Sequence, residues 1–203
     1  MPEPLASRIR PKNLDEFIGQ SHLVGEGKPL RVAIEKGHIF SFILWGPPGV
    51  GKTTLAKIYA KSLGAELHEL SAVSAGKEDI RKIVGHSTSS GQAILIPRIL
   101  FLDEIHRFNK AQQDFLLPYV ERGELVLIGA TTENPSFEII SALLSRARVF
   151  VLNSLPDEEM KKIIERTGIK LDDEARDWLV RMAGGDARQA ITVLENAQSL
   201  YQE

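Results

Sequence analysis

Gly46-Pro47-Pro48-Gly49-Val50-Gly51-Lys52-Thr53 is a glycine, four residues, and then Gly-Lys-Thr. It follows the apolar run Phe40-Ser41-Phe42-Ile43-Leu44-Trp45 and opens the helix-forming run Thr54-Leu55-Ala56-Lys57-Ile58-Tyr59-Ala60. An ordinary glycine-rich turn has no need of a strand before it and a helix after it; a phosphate-gripping loop needs both. Glycines let the backbone curl so that successive N–H groups point at phosphate oxygens, and the following helix adds its dipole. The pattern therefore predicts a nucleoside triphosphate site built from Gly46, Pro47, Pro48, Gly49, Val50, Gly51, Lys52, Thr53 and Thr54. Lys52 is expected to reach the β- and γ-phosphates, and the Thr53 hydroxyl to hold Mg²⁺.

Outward from the loop, apolar runs alternate with helical periodicity. Strands are expected at 40–45, 66–71, 98–102, 125–130 and 148–152, and helices at 52–63, 77–84, 109–121 and 137–145. A further helix is expected from Pro29 to Lys36, with Pro at its start and Gly37 at its end. Near-continuous apolar strands such as Ile99-Leu100-Phe101-Leu102, alternating with helices, predict an α/β fold with a parallel sheet buried on both faces. Residues 1–26 read as irregular and partly extended, because Pro2, Pro4 and Pro11 discourage helix. Gly85–Gln92 is small and polar and reads as a mobile loop. From Ser154 the strands stop and helical segments follow at Asp157–Arg166, Asp172–Ala183 and Ala187–Gln202, the last with Asp186 as its N-cap. The expected organisation is an α/β nucleotide-binding domain over 1–153 and a helical lid over 154–203.

The strand Ile99–Leu102 ends in Asp103-Glu104, at the sheet edge that the phosphate loop also faces. Behind such a loop, Asp103 is read as helping to hold Mg²⁺ and Glu104 as polarising the attacking water. Thr132, in Ile128-Gly129-Ala130-Thr131-Thr132-Glu133-Asn134, admits two readings: orienting water or the γ-phosphate, or capping the next turn. Arg146, in Ser141-Ala142-Leu143-Leu144-Ser145-Arg146-Ala147-Arg148, is either a cation placed favourably at a helix end or an arginine finger for a neighbouring subunit. Arg188 is either a lid residue reaching the γ-phosphate or a solvated surface side chain.

Composition bounds the rest. The chain has 203 residues with 25 Lys and Arg against 27 Asp and Glu, so no whole-molecule basic field draws it to nucleic acid. It has no cysteine, which excludes disulfides and thiolate metal sites. His22, His38, His68, His86 and His106 lack metal-ligand spacing. No apolar stretch is long enough to span a bilayer and the first residues lack a signal-peptide pattern, so a cytoplasmic location without membrane contact is expected.

Taken together, these motifs resemble those of AAA+ ATPases. Gly46–Thr53 and Ile99–Glu104 stand at the Walker A and B positions, Thr132 at sensor 1, Arg146 at the arginine finger and Arg188 at sensor 2. Arg10-Pro11-Lys12-Asn13-Leu14-Asp15-Glu16-Phe17-Ile18-Gly19-Gln20 resembles the segment that borders adenine, which assigns Ile18 and Gly19 to the nucleotide. Asp103-Glu104-Ile105-His106-Arg107-Phe108-Asn109-Lys110-Ala111-Gln112-Gln113-Asp114 and Gly129–Phe137 are similar to the replication-associated recombination protein A family, kin of the eukaryotic Werner-helicase-interacting ATPase. The likeness covers residues 4–84 and 98–200. It implies an ATP- and Mg²⁺-dependent hydrolase acting on DNA at stalled or damaged replication forks, at gaps and ends. It further implies a nucleoid-associated homo-oligomer that contacts single-strand-binding protein. Lys77, Arg81, Lys82, Arg107 and Lys110 are the candidate DNA contacts; each could equally belong to a solvated charged face. There are two departures. Gly85–Pro97 lacks the family's basic stretch. The chain also stops at Glu203, where family members continue into a helical region associated with tetramers, so it reads as a fragment or a short member. A clamp-loader subunit, a Holliday-junction motor and a non-hydrolysing interaction module are the rival readings. Ala147 stands where a clamp loader typically has Cys.

Overall fold

The computed structural model describes residues 3–85 and 96–201. In chain order the elements are α1 (Leu5–Arg8), α2 (Ser21–Val24), α3 (Pro29–Glu35), β1 (Phe42–Trp45), α4 (Lys52–Ser62), β2 (Glu66–Ser71) and α5 (Lys77–Gly85). There follow β3 (Arg98–Asp103), a 3₁₀ turn (Ile105–Arg107), α6 (Lys110–Glu121), β4 (Val126–Thr131), α7 (Pro135–Glu138), α8 (Ser141–Leu144) and β5 (Arg148–Val151). The chain ends in α9 (Asp157–Arg166), α10 (Asp173–Ala183) and α11 (Ala187–Tyr201). Of the expected mobile loop, Gly85 closes α5 and 86–92 lie outside the described residues.

The strands form a five-stranded sheet in the order β2-β3-β4-β1-β5, with every pairing parallel. The apolar runs of β1, β3 and β4 are covered on both faces. One face packs Phe42, Leu44, Phe101, Ile128 and Ala130 against Leu55, Ile58 and Tyr59 of α4. The other packs Ile43, Leu100, Leu102 and Leu127 against Ile80 of α5, Leu116 of α6 and Leu143 of α8. The edge strands are less covered: β2 has no fully buried position, and β5 buries only Phe150. Ala33, Phe42 and Tyr59 pack in one apolar body, and Tyr59 is fully buried with its ring edge-on to Phe42 at 5.0 Å. The Tyr59 hydroxyl donates to the His38 carbonyl at 2.9 Å and accepts from the Phe40 N–H at 3.2 Å. Tyr59→Phe leaves both backbone groups without that partner, and the expected loss is about 1–3 kcal/mol, read from urea unfolding.

Three expectations need correction. Residues 1–26 are not wholly irregular: Pro4 stands at the N-cap of α1, where a missing N–H costs nothing because that donor has no helical partner. Gln20 enters α2 in a left-handed conformation, φ 55°. The helix expected over 137–145 is two short helices, broken where Ile139 and Ile140 adopt extended backbone, φ −106° and −61° with ψ near 140°. The first strand begins at Phe42 rather than residue 40.

After β5, helices α9, α10 and α11 share a third apolar cluster of Met160, Ile164, Leu179, Val180, Ala190 and Leu194. Asp186 caps α11 as expected, accepting from the Gln189 N–H at 3.0 Å. Leu5 is buried in the same cluster, and its N–H donates to Glu195 Oε1 at 2.7 Å. The amino-terminal segment is thereby fastened to the last helix, which sets one wall of the site.

Candidate active site

The strand order brings β3, β4 and β1 side by side, so their carboxyl ends deliver three loops to one crevice. From β1 comes the phosphate loop. Gly49 and Gly51 hold φ of 69° and 99°, conformations that only glycine adopts without strain. A Cβ on Gly51 would stand 2.8 Å from the Phe17 ring, and one on Gly49 would stand 1.8 Å from Asp186 Oδ1. Gly51 precedes α4 with no side-chain cap, so the first-turn N–H groups of α4 are left for an anion.

Lys52 Nζ donates to the carbonyls of Gly46 and Pro47 at 2.6 and 2.7 Å. Burial lowers its pKa, Asp103 opposes that shift, and Arg188 adds to it. A half-buried cation held by two neutral carbonyls and facing another cation gains strongly from an incoming polyanion.

From β3 come the acids. Asp103 Oδ1 accepts the Glu104 N–H at 3.1 Å. Glu104 takes a left-handed conformation, φ 54°, which costs a non-glycine residue of order 1–3 kcal/mol and concentrates at functional sites. The Glu104 carboxylate lies 3.8 Å from Arg107. From β4 come the threonines. Thr131 is buried and Thr132 exposed, and both line the cleft. The capping role weighed for Thr132 belongs to its neighbour: Thr131 Oγ1 accepts the Glu133 N–H at 2.9 Å.

These loops and α11 enclose a cleft of about 240 Å³. It is lined by the polar Lys52, Thr53, Asp103, Glu104, Thr132 and Arg188, and, with Arg10 and Arg166 beside them, by the apolar Ile9, Pro11, Phe17, Ile18, Ile163 and Ile191. Pro48, Gly49, Val50, Gly51 and Thr54 line it as well. Gly46 and Pro47 reach it through their carbonyls on Lys52, whereas Gly19 packs against Leu155 and Glu159. A cleft lined by both charged and apolar groups suits a ligand with a polyphosphate and a flat base.

Arg146 does not line this cleft. Its guanidinium donates to the Ala142 carbonyl at 2.8 Å and pairs with Glu121 at 2.6 Å. Lys77 and Arg81 lie over the Phe115 ring, Lys82 pairs with Asp79, and Arg107 with Glu104.

Sequence reasoning missed the apolar wall contributed by Ile163 and Ile191, and also Arg166. Ile163 and Ile191 carry ordinary helical spacing, so nothing local marks them as lining a site. Arg166 donates to the Glu16 carbonyl and lines the cleft, joining the end of α9 to the amino-terminal segment.

Magnesium prefers hard oxygen donors and binds through one or two carboxylates together with substrate phosphates. Asp103 and the Thr53 hydroxyl, which makes no hydrogen bond among the described residues, supply that donor set in the cleft. Within the described residues no cluster of His, Cys, Asp and Glu could hold a metal by itself. No helix among them is long and apolar enough to cross a membrane.

Residues 42–155 match the family described as ATPase family associated with various cellular activities (AAA). Replication-associated recombination protein A of Coxiella burnetii is 50% identical over 95% of this chain and 46% of that protein. The Haemophilus influenzae protein of the same name is 48% identical over 95% of this chain and 45% of its own length. The chain thus spans about half the length of the curated relatives it matches. Among solved structures, the Thermotoga maritima RuvB Holliday junction branch migration motor superposes with a TM-score of 0.74 at 32% identity, over 95% of this chain and 67% of that one.

Proposed function

The chain belongs to the AAA family of ATPases, and from that premise we propose that it binds and hydrolyses ATP to drive work on DNA at stalled or damaged replication forks. The observation that carries the reading is the cleft: Lys52, Thr53, Asp103, Glu104, Thr132 and Arg188, from four separate segments, line it together. Residues 1–153 hold the nucleotide and residues 154–203 act as a lid. Bound magnesium would supply charge neutralisation of the phosphates and would be held by Thr53 and Asp103.

Within that arrangement Glu104 draws a proton from water aligned on the γ-phosphate. Lys52 and Arg188 stabilise the charge that builds on the phosphate oxygens. Thr132 orients the water or the γ-phosphate. Arg188 sits on the lid, so its hold on the γ-phosphate exists only before hydrolysis, and losing that contact releases the lid to turn. Arg146 completes the site of a neighbouring copy in a homo-oligomer.

The choice of replication-associated recombination over a junction motor rests on identity. The relatives that carry that name are 41–50% identical, against 32% for RuvB. Contact with single-strand-binding protein is drawn from family likeness.

Titration calorimetry with ATP and Mg²⁺ is expected to give saturable heat that Lys52→Ala abolishes. Turnover is expected to rise on adding gapped, forked or blunt-ended DNA. Absence of heat from folded protein overturns the nucleotide reading. Turnover indifferent to every DNA overturns the fork reading and leaves the ATPase standing.

A further inference from the structure

His106 lies in the 3₁₀ turn that follows Glu104, and its Nδ1 stands 3.0 Å from Oγ1 of Thr131. Thr131 is 1% exposed and ends β4, directly before Thr132. Its hydroxyl meets two further groups: the Glu133 N–H donates to it at 2.9 Å, and the Glu133 carbonyl lies 3.1 Å away. A hydroxyl has one proton and two lone pairs. The Glu133 N–H takes one lone pair. If the hydroxyl proton goes to the Glu133 carbonyl, the second lone pair is free to accept from His106, and Nδ1 must then carry a hydrogen. If the proton went to His106 instead, the Glu133 carbonyl would lose its donor and a buried lone pair would stand idle. Only the first arrangement makes all three contacts hydrogen bonds.

The position of this bond matters as much as its chemistry. Residue pairing between β3 and β4 ends at Leu102↔Gly129. Asp103 still pairs with Ser71 of β2 and Thr131 with Trp45 of β1, but no direct β3–β4 pairing joins the Glu104 turn to the Thr132 loop. Ile105 packs on Gly129, but an apolar contact has no direction and does not set the angle between two polar groups. The bond from His106 to Thr131 does.

We propose that His106 is a positioning residue that, through its Nδ1–H and the Thr131 hydroxyl, locks the Glu104 turn to the Thr132 loop so that both address one water. The inference rests on the roles given above to Glu104 and Thr132. Misplacement of reacting groups by about 1 Å can cost on the order of 10²-fold in rate.

His106→Phe keeps a ring and removes the donor. Its kcat is expected to fall roughly 10–100-fold while ATP affinity stays within about twofold, since none of the phosphate-loop contacts involves His106. His106→Asn should recover most of the loss, because an amide nitrogen there is as many bonds from Cα as Nδ1 is. Adding His106→Phe to Thr131→Val should cost nothing further, as for two members of one link.

A second measurement is independent of turnover. Ring ¹⁵N shifts should report the Nδ1–H tautomer of His106 in the unmodified protein and its loss in Thr131→Val, with His106→Asn assigning the signal. The inference is overturned by wild-type kcat in His106→Phe, by an Asn variant no better than Phe, by an Nε2–H ring in the unmodified protein, or by ATP affinity falling in step with kcat. Glu104→Gln in the same assay separates the two claims. Undiminished turnover there removes Glu104 from the chemistry, while the tautomer result still decides whether the link exists.

Discussion

Glu104→Gln is expected to bind ATP with Mg²⁺ as tightly as the unmodified protein and to lose about 10²–10⁴-fold in turnover, the usual contribution of a general base. That is roughly 3–5 kcal/mol of barrier. The two halves of the result come from different parts of the site. Affinity resides in the phosphate loop and Lys52, whose cation is desolvated and faces Arg188; the charge of Glu104 is the smallest of the influences on Lys52. Turnover needs a carboxylate that can accept a proton, and an amide of the same shape cannot. The backbone at 104 is left-handed, φ 54°, and is held by the Glu104 N–H on Asp103, which glutamine preserves. The ion pair with Arg107 at 3.8 Å is lost, but both side chains are largely exposed and solvent screens such pairs, so stability should hardly change. Direct binding and single-turnover hydrolysis measure the two quantities separately. Wild-type turnover in Glu104→Gln would remove Glu104 from the chemistry. Loss of binding in step with turnover would make it a structural residue.

What the sequence reveals about this site follows from how locally each feature is specified. The phosphate loop is legible because its chemistry demands a fixed spacing within eight residues, and the structure sets it between β1 and α4 as that spacing requires. The parallel sheet is legible because strands buried on both faces must be apolar throughout. Pairing order is not: β1 lies between β4 and β5, and no residue within β1 announces either neighbour. The apolar lining that α9 and α11 add to the cleft was illegible for the same reason, whereas Ile18 was legible from its segment. Ile163 and Ile191 reach it from α9 and α11, and each looks like any residue on the inner face of an amphipathic helix. The break at Ile139-Ile140 eluded a helical reading because both residues are apolar and suit either state; tertiary packing of Ile139 against the α6–α8 cluster decides. Thr131 and Thr132 are adjacent and chemically alike, and only the sheet reveals which is buried to brace the loop and which is left exposed in the cleft.

Mixing two inactive variants should restore activity. Arg146→Ala is expected to reduce turnover on the order of 10³–10⁵-fold if it removes an arginine finger. Glu104→Gln is inactive for a separate reason. At a head-to-tail contact the site is completed by a residue of the next copy. A contact in which the Arg146→Ala copy supplies Glu104 and the Glu104→Gln copy supplies Arg146 lacks nothing. In an equal mixture roughly a quarter of head-to-tail contacts are of this kind, so turnover should recover to about that fraction. The structure supplies a definite alternative. Arg146 is fastened within its own chain to Glu121 and to the Ala142 carbonyl, a conventional arrangement for a cation at a helix end. If that fastening is its whole purpose, Arg146→Ala changes stability slightly and turnover little, and there is nothing for mixing to restore. A third outcome also has one meaning. If Arg146→Ala is inactive and mixing restores nothing under conditions where the unmodified chains associate, Arg146 acts within its own chain. Arg146 lies outside its own cleft, so that result would require α8 to move, and the reading of a shared site would fall.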